Sequence, residues 1–475
     1  MGGEWTTIGE IAEIFDGPHA TPKKIEEGPY FLSISSLENG KLDLSKSARV
    51  SEDQFVRWTK RVTPRVGDVL FSYETRLGEA ALMPAGIRAC LGRRMGLLRP
   101  NIDRVDPRYL LFAYLGPDFQ REIRTRTNSG ATVDRLALKE LPEFPIRIPP
   151  LSEQKAIAHI LGTLDDKIEL NRRMNATLEA MARALFKSWF VDFDPVIDNA
   201  LAAGNPFPEP LQARAKARKA LGDQRKPLGD QRKPLGDQRK PLGDQRKPLP
   251  AAIQKQFPSR FLFTEEMGWV PEGWEVLPVS QAIDINPRVA LRKGQKAKYV
   301  DMKALPTSGY TVDEVVEKAY SGGAKFCNGD VLLARITPCL ENGKTGVVDF
   351  LEESEPGFGS TEFIVLRAKG VIGTPFIATL ARDDNFRKHC VTSMVGSSGR
   401  QRVQNACFDS YYVCIPGSST IMVEFHGTCA PMFEKMTALK NETRTVAILR
   451  DTLLPKLISG QLRIPDAEQL LAEVA

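Results

Sequence analysis

The sequence predicts an α+β protein built from two tandem, pseudo-repeated α+β domains that are separated by a long two-helix coiled coil. Two observations lead to this prediction. Apolar residues recur at alternating steps of four and three along two distant stretches, which is typical of helices that bury a narrow stripe against each other. The segments that precede these stretches also share short sequence echoes in the same order.

Six parts follow from these observations. We expect an α+β domain at residues 1–150, a first spacer helix at 151–193, a linker at 194–267, a second α+β domain at 268–417, a second spacer helix at 418–463 and a C-terminal tail at 464–475.

The first domain alternates short strand-like runs with turns rich in Gly, Asn and Asp. Strands are predicted at 30–34, 69–72, 95–98 and 144–148, and a helix with an apolar face is predicted at 106–126. A polar turn at 128–132 lies between that helix and the last strand.

The second domain repeats this order. Residues 67–71 are echoed by 329–333, the polar turn by 395–401, and residues 144–149 by 411–416. Each set of echoes precedes a long predicted helix, so the chain is interpreted as a tandem duplication of a domain followed by a helix.

The two spacer helices share one register. Pro149 and Pro150 block any helix upstream of the first, and Ser152 can cap it. From Ile157 to Trp189 this helix would be about 48 Å long at 1.5 Å per residue. Two unrelated surface helices are the simpler alternative, but a constant offset of 268 residues favours a pair. The predicted pairing residues are Ile157, Leu161, Leu164, Ile168, Leu178, Leu185 and Trp189 in the first helix, and Phe425, Met432, Met436, Leu439, Val446, Leu453 and Leu457 in the second.

The linker contains the heptapeptide LGDQRKP four times over residues 221–248. Because Gly and Pro recur in every repeat, a continuous helix is excluded there and a flexible, basic tether is expected. Residues 211–248 carry a net charge of +8 within a chain of +6, so the rest of the chain is close to neutral. A plain spacer and a loose electrostatic contact with DNA phosphates both fit this composition.

Composition places the chain among water-soluble globular proteins, with 42% hydrophobic and 26% charged residues. No run of apolar residues is long enough for a membrane span, and the N-terminus lacks a signal-peptide pattern. Seven cysteines without a CxxC pair predict reduced thiols and a cytoplasmic location.

No catalytic constellation stands out in the sequence. The segment 342–346 resembles a phosphate loop, but Pro338 stands where that loop requires glycine, so a turn is expected. Four histidines have no metal-ligand spacing. The Asp/Asn-Pro-Pro-aromatic tetrapeptide that an amino-methyltransferase needs is also missing. No catalytic residue and no metal site is therefore predicted.

Basic and polar side chains instead follow the predicted strands and turns of both copies; for example, Arg76 and Arg335 each follow the echoed strand. Taken singly each is a surface residue, but their parallel placement indicates DNA contact, since such side chains bind phosphates and base edges. The candidates are Arg76, Arg93, Arg94, Arg124, Arg126, Asn128, Ser129 and Thr132 in the first copy, and Arg335, Ser397, Ser398, Arg400, Gln401 and Arg402 in the second.

Several of these segments resemble the specificity (S) subunit of Type I restriction-modification systems. The resemblance is carried by IPPLSEQKAIA at 148–158, FKSWFVDF at 186–193, PEGW at 271–274, GDVL at 67–70 and LISG at 457–460. It covers the whole chain except the heptapeptide array.

The resemblance implies a non-catalytic subunit with two target recognition domains, each of which reads one half of a bipartite site on double-stranded DNA. The two helices would form a long antiparallel two-helix coiled coil that sets the spacing, and about 48 Å spans roughly 14 base pairs. Two methyltransferase (M) subunits would dock on the helices and methylate adenine N6 with S-adenosylmethionine. Restriction (R) subunits would add an ATP- and Mg-dependent motor endonuclease. The chain itself would bind no cofactor.

The second helix departs from the family pattern, because it lacks the Glu-Gln opening, contains Pro431 and Pro455, and places Arg450 on the seam. These residues could shorten or bend it. Two other functions compete with DNA recognition: a coiled-coil scaffold or inhibitor without DNA specificity of its own, and an enzyme that transfers methyl groups alone.

Overall fold

The computed structural model describes residues 4–18, 20–129, 134–224, 249–397 and 399–472. They form two compact units, one comprising 1–170 with 442–475 and the other 171–441. The division falls inside both long helices, so each unit contains one α+β domain and a segment of each helix.

The N-terminal domain contains thirteen short strands and four helices in its described part. The strands are β1 (Glu4–Thr7), β2 (Ala12–Asp16), β3 (Ile25–Leu32), β4 (Leu37–Glu38), β5 (Lys41–Leu42), β6 (Ala48–Arg49), β7 (Val69–Ser72), β8 (Ala80–Leu82), β9 (Ala89–Leu91), β10 (Met95–Pro100), β11 (Thr127–Ser129), β12 (Asp134–Leu136) and β13 (Pro145–Ile148). The helices are α1 (Ile8–Ile11), α2 (Glu52–Trp58), α3 (Pro107–Leu115) and α4 (Pro117–Thr125).

The single helix predicted at 106–126 is therefore two helices. Gly116 lies between them in an extended conformation, with φ −65° and ψ 152°. The residue before a proline is disfavoured in the helical region, so Pro117 ends α3 and becomes the first residue of α4.

The first long helix, α5 (Leu151–Phe186), is followed by a π-helical turn at Lys187–Val191. Three shorter helices come next: α6 (Asp194–Ala203), α7 (Glu209–Gln224) and α8 (Ala251–Gln254). In the described part of the segment expected to be a flexible linker, residues 194–224 and 249–267, much of the chain is thus helical, whereas residues 225–248, which hold most of the LGDQRKP array, lie outside the described residues. The carboxylate of Asp194, which is buried, accepts hydrogen bonds from Ser188 and Arg214, and Asp198 pairs with Arg218. Arginines that look like a free basic patch in the sequence therefore hold α7 against α6.

The second domain contains twelve strands and three helices in its described part. The strands are β14 (Phe261–Thr264), β15 (Gly268–Pro271), β16 (Trp274–Pro278), β17 (Asp284–Ile285), β18 (Lys296–Val300), β19 (Val315–Ala319), β20 (Ala324–Phe326), β21 (Val331–Ala334), β22 (Thr345–Val347), β23 (Gly357–Gly359), β24 (Phe363–Arg367) and β25 (Tyr412–Pro416). The helices are α9 (Val279–Ala282), α10 (Thr374–Ala381) and α11 (Asp384–Thr392). The second long helix, α12 (Ser419–Ile458), and α13 (Ile464–Ala472) complete the chain.

The two domains have the same sheet topology, which confirms the predicted duplication. The order β2-β10-β7-β8 in the first matches β17-β24-β21-β22 in the second. A further sheet, β6-β3-β9, matches β19-β18-β23-β20, except that the second domain adds β20. The equivalent pairs β3–β9 and β18–β23 are both parallel.

The echoed Gly-Asp-Val-Leu segments have a structural role. Gly67 and Gly329 have φ of +88° and +83°, which other residues rarely adopt. The next residue, Asp68 or Asp330, is buried and forms a bidentate ion pair with Arg99 or Arg367 on the neighbouring strand. Because removal of one partner would leave a buried charge unpaired, both residues of each pair are constrained by folding.

Within the first unit, the two long helices pack antiparallel. Asp165 pairs with Arg450 at 2.8 Å and Lys167 with Glu442 at 2.8 Å, so the residue numbers run in opposite directions. Arg450 therefore occupies its seam position by bonding Asp165 across the pair. The apolar seam of this unit consists of Ile157, Leu161, Leu164 and Ile168 with Val446, Leu453 and Leu457, all buried.

Within the second unit the same helices pack again. The Trp189 and Phe425 rings lie 5.9 Å apart between centroids. The seam contains Leu178, Leu185, Trp189, Phe425, Met432 and Met436, and Leu439 is buried as well. Helix α12 continues through Pro431 and Pro455, because burial of the seam on either side of each proline outweighs the hydrogen bond it removes.

No helix in the described ranges has the length and apolarity needed to cross a membrane. The seven cysteines are all free thiols, and five of them are buried.

Candidate nucleic-acid interface

Three loops meet where the central strand β7 ends in the first unit. The Leu136 amide donates to the carbonyl of Tyr73 at 2.9 Å, and the Thr75 amide donates to the carbonyl of Asp134 at 3.2 Å. The Tyr73 amide in turn donates to the carbonyl of Arg94 at 3.2 Å. These backbone bonds join residues 73–79, 92–94, 127–129 and 134–136 into what we call the first loop cluster.

Two of the predicted arginines are held inside this cluster. The Arg94 guanidinium lies 3.0 Å from the Glu74 carboxylate and 3.3 Å from the Thr75 hydroxyl. Arg76 lies 3.5 Å from Glu79. Both side chains remain about one-third exposed, so they can also contact a ligand at the surface.

The other candidates of the first copy fall in different places. Arg93 and Arg124 are exposed. Arg126 stacks on the Phe144 ring at 4.7 Å and pairs with Glu122, and its side chain is also about one-third exposed. Asn128 and Ser129 lie on β11 in the hairpin with β12, whereas Thr132 lies outside the described residues.

Sequence reasoning missed Arg135, which the hairpin places in the first loop cluster. It is exposed on β12 and forms an isolated bridge with Glu74. Among the described residues, its guanidinium has no hydrogen-bond or ion-pair partner. The echo of the polar turn extends to this position, and following it three residues further would have identified Arg135.

The second unit builds the same cluster with the same backbone bonds. The Val403 amide donates to the carbonyl of Arg335 at 2.9 Å, and the Arg335 amide donates to the carbonyl of Glu362 at 3.0 Å. Ile336 bridges Arg402, as Glu74 bridges Arg135. The second loop cluster therefore consists of residues 335–338, 360–362, 395–397 and 399–403.

The predicted residues of the second copy lie in this cluster, and Arg402 is the most firmly held. Its guanidinium donates to both carboxylate oxygens of Glu362 at 2.7 to 3.0 Å. These hydrogen bonds lower the pKa of Glu362, so the pair stays ionised as the pH falls to mildly acidic values. The backbone N–H of Gln401 donates to the Thr337 hydroxyl at 3.1 Å. Ser397 and Arg400 are exposed, and Ser398 lies outside the described residues.

The sequence placed Arg76 and Arg335 at equivalent positions, and the backbone hydrogen bonds of the two clusters correct this prediction. Arg335 takes the place of Tyr73, Arg402 that of Arg135, and Glu362 that of Arg94. The same backbone scaffold thus carries an exposed arginine, Arg135, in the first unit and an arginine bound by a carboxylate, Arg402, in the second. The difference arises from side chains, because the backbone bonds are shared.

Within the described ranges, no group of three or more His, Cys, Asp or Glu side chains is placed to hold a metal ion. The fold and the two loop clusters define a tandem two-domain protein in which each domain is followed by one helix of an antiparallel pair.

Comparison with known proteins agrees with this organisation. The family model for the Type I restriction modification DNA specificity domain matches residues 3–180. The Type I restriction enzyme HindI specificity subunit of Haemophilus influenzae is 24% identical, over 77% of this chain and 80% of the relative. The MjaIX specificity subunit of Methanocaldococcus jannaschii is 23% identical, over 98% of this chain and 92% of the relative.

A solved structure, the S subunit of a Type I restriction-modification system from M. genitalium, has the same fold with a TM-score of 0.50. It is 15% identical, and the match covers 96% of both chains. The chain is thus similar to Type I restriction-modification specificity subunits, and residues 3–180 match the model of their DNA specificity domain.

Proposed function

We propose that this chain is the DNA sequence-recognition subunit of a Type I restriction-modification complex and that each loop cluster reads one half of a bipartite site. The observation that carries the proposal is the repeated loop cluster, which joins equivalent loops by equivalent backbone bonds but presents different side chains. Arginine, Gln and Ser at such loops are suited to phosphates and base edges. Two clusters with different side chains suit two different half-sites.

The paired helices have the complementary role in this proposal. Their seams are buried in both units, so the exposed faces of α5 and α12 remain available to methyltransferase subunits. Those subunits would contribute S-adenosylmethionine and the methylating site, and restriction subunits would contribute ATP and Mg. The chain itself would supply sequence choice and spacing.

The test is a gel-shift assay with the full chain, its methyltransferase partner and DNA carrying the site found by methylome sequencing. Binding to DNA with both half-sites, and loss of binding when either is scrambled, is expected. Binding that ignores both half-sites would instead support a scaffold without specificity. Methyl transfer by the chain alone would identify an enzyme.

The number of LGDQRKP repeats is expected not to change the spacing between the two half-sites. The chain before and after the array is fixed within one unit, because Asn199 donates to the carbonyls of Gln254 and Phe257 at 2.9 and 2.7 Å. Gln254 also donates to the carbonyl of Pro195 at 2.7 Å. A change of length between these anchors leaves the register of α5 and α12 untouched.

Methylome sequencing of strains that carry two-copy and four-copy versions would measure this. An identical gap between methylated half-sites is expected, and a gap that changes with copy number would refute the prediction. A four-residue insertion within α5 is the matched control, since it alters the spacer helix itself and should shift the spacing.

A further inference from the structure

An open cleft of about 610 Å³ lies beside the second loop cluster, within the second unit. One side is formed by residues 286–289, where the chain leaves β17, and the other by residues 323–325 at the start of β20. Arg335, at the end of the central strand β21, and Thr361, in the turn before β24, close its inner end. The cleft therefore adjoins the cluster through two shared residues, Arg335 and Thr361.

Three cations line this cleft: Arg288, Lys325 and Arg335. The other lining residues include Asn286, Thr361 and apolar side chains, and none of them is a carboxylate. The nearest acid in the sequence, Glu362, is bound to Arg402 on both of its oxygens. A concave surface with one sign of charge concentrates anions, because the fields of its cations add.

Two of the cations are held in place from within the fold. Lys325 donates to the carbonyl of Leu291 at 3.0 Å, and its ammonium lies 4.8 Å from the centroid of the Tyr320 ring. Arg335 donates through one terminal nitrogen to the carbonyl of Val403 at 2.8 Å. Its Nε is buried and finds no hydrogen-bond partner in the described part of the chain. A buried guanidinium donor without a partner is unfavourable and suits an acceptor supplied by a ligand.

The third cation, Arg288, is exposed at the mouth of the cleft, and no intramolecular partner for it is found in the described ranges. The backbone adds to the site, because β20 is the last strand of its sheet and its outer edge is not paired with another described strand. Edge strands leave amide N–H groups available. Guanidinium, ammonium and amide donors together match the oxygens of a phosphodiester.

We propose that this cleft binds a backbone phosphate of the DNA and thereby fixes the second loop cluster against the duplex. The inference rests on the proposed function, since it places the DNA against that cluster. A phosphate fits better than a base edge because three cations line one cleft, and a phosphodiester carries a full negative charge whereas a base edge carries none.

The described residues of the first unit form no equivalent triad, because β20, which carries Lys325, has no counterpart there. Met95 and Phe363 pair with equivalent residues of the central strands, Ser72 and Ala334, so Tyr73 stands in the place of Arg335 and Arg93 in the place of Thr361. The phosphate contact is therefore specific to the half-site read by the second unit.

Salt dependence of binding tests the proposal. The full chain with its methyltransferase partner is titrated with the bipartite DNA over a range of KCl concentrations, comparing wild type with Arg288→Gln and Lys325→Met. Each variant is expected to reduce the slope of log affinity against log salt by about 1, while the methylated sequence stays the same. The matched control is Lys388→Gln, because Lys388 is an exposed cation of α11 that does not line the cleft.

Three results would overturn the proposal. The first is a wild-type slope in both cleft variants. The second is a change in the bases methylated, which would make the cleft a base-reading site. The third is that the two cleft variants, as free subunits, bind inorganic phosphate less well than wild type but keep the wild-type slope of log DNA affinity against log salt. That result would assign the cleft to a free anion. Failure of the proposed function is distinguished from these, because wild type itself would then show no sequence-specific binding.

Discussion

Replacing Arg135 by alanine is expected to weaken binding of the bipartite DNA by about 10-fold or more and to relax base choice at one position of one half-site. A bidentate arginine contact with guanine contributes about 1 to 3 kcal/mol of discrimination. Arg135 is suited to such a contact because it is exposed on β12, in the first loop cluster, and none of the described residues holds its guanidinium. The half-site read by the second unit should be unchanged.

Arg121→Ala is the matched control for this variant. Arg121 has the same charge, lies on α4 in the same unit, is 70% exposed and pairs only with Asp118 on its own helix among described residues. Methylome sequencing of strains carrying each variant with the methyltransferase subunit reports base choice, and a gel-shift titration reports affinity. If Arg135→Ala methylates the wild-type sequence with wild-type affinity, Arg135 does not read DNA.

Trp189→Ala is expected to lower the free energy of unfolding of the second unit by about 3 to 5 kcal/mol, the usual cost of truncating a large buried aromatic residue. The indole is 2% exposed. Its ring centroid lies 5.1 Å from that of Phe257 and 5.9 Å from that of Phe425, so one side chain joins the end of the first long helix to the start of the second. A cavity at this point cannot be filled without moving both helices.

Urea unfolding followed by circular dichroism measures this loss, with Met181→Ala as the control. Met181 lies on α5 about two helical turns before Trp189 and is 50% exposed, so its truncation should cost less than about 0.5 kcal/mol. Equal unfolding midpoints for the two variants would show that the Trp189 seam does not stabilise the unit.

Much of the architecture could be predicted from sequence because its signals are local and periodic. The heptad spacing of Ile157, Leu161, Leu164 and Ile168 requires one buried helix face, and the structure buries all four. The strand at Val69–Ser72 was predicted with the observed bounds as a short strand-like run between turn-rich segments, and the structure buries all four of its residues. The echoes revealed the duplication without any knowledge of how the strands pair.

The linker was predicted less well, for a physical reason. Its charges look solvated in the sequence, yet Arg214 and Arg218 are bound by Asp194 and Asp198, twenty residues earlier. Basic composition indicates flexibility only where the charges have no partners, and partners at that distance cannot be recognised without the fold.

The sequence by itself determined the two copies, the helical seams and the residue types available at the loops. Only the tertiary structure decided which arginines can meet a ligand, because the groups that restrain them come from distant strands. Phe144 packs under Arg126, and Glu362 grips Arg402 from 40 residues away, whereas Arg135 at the position equivalent to Arg402 has no such restraint among the described residues. The spacing of residue types along the chain reveals repeats and helix periodicity, but the charged neighbours of each arginine depend on how the strands assemble.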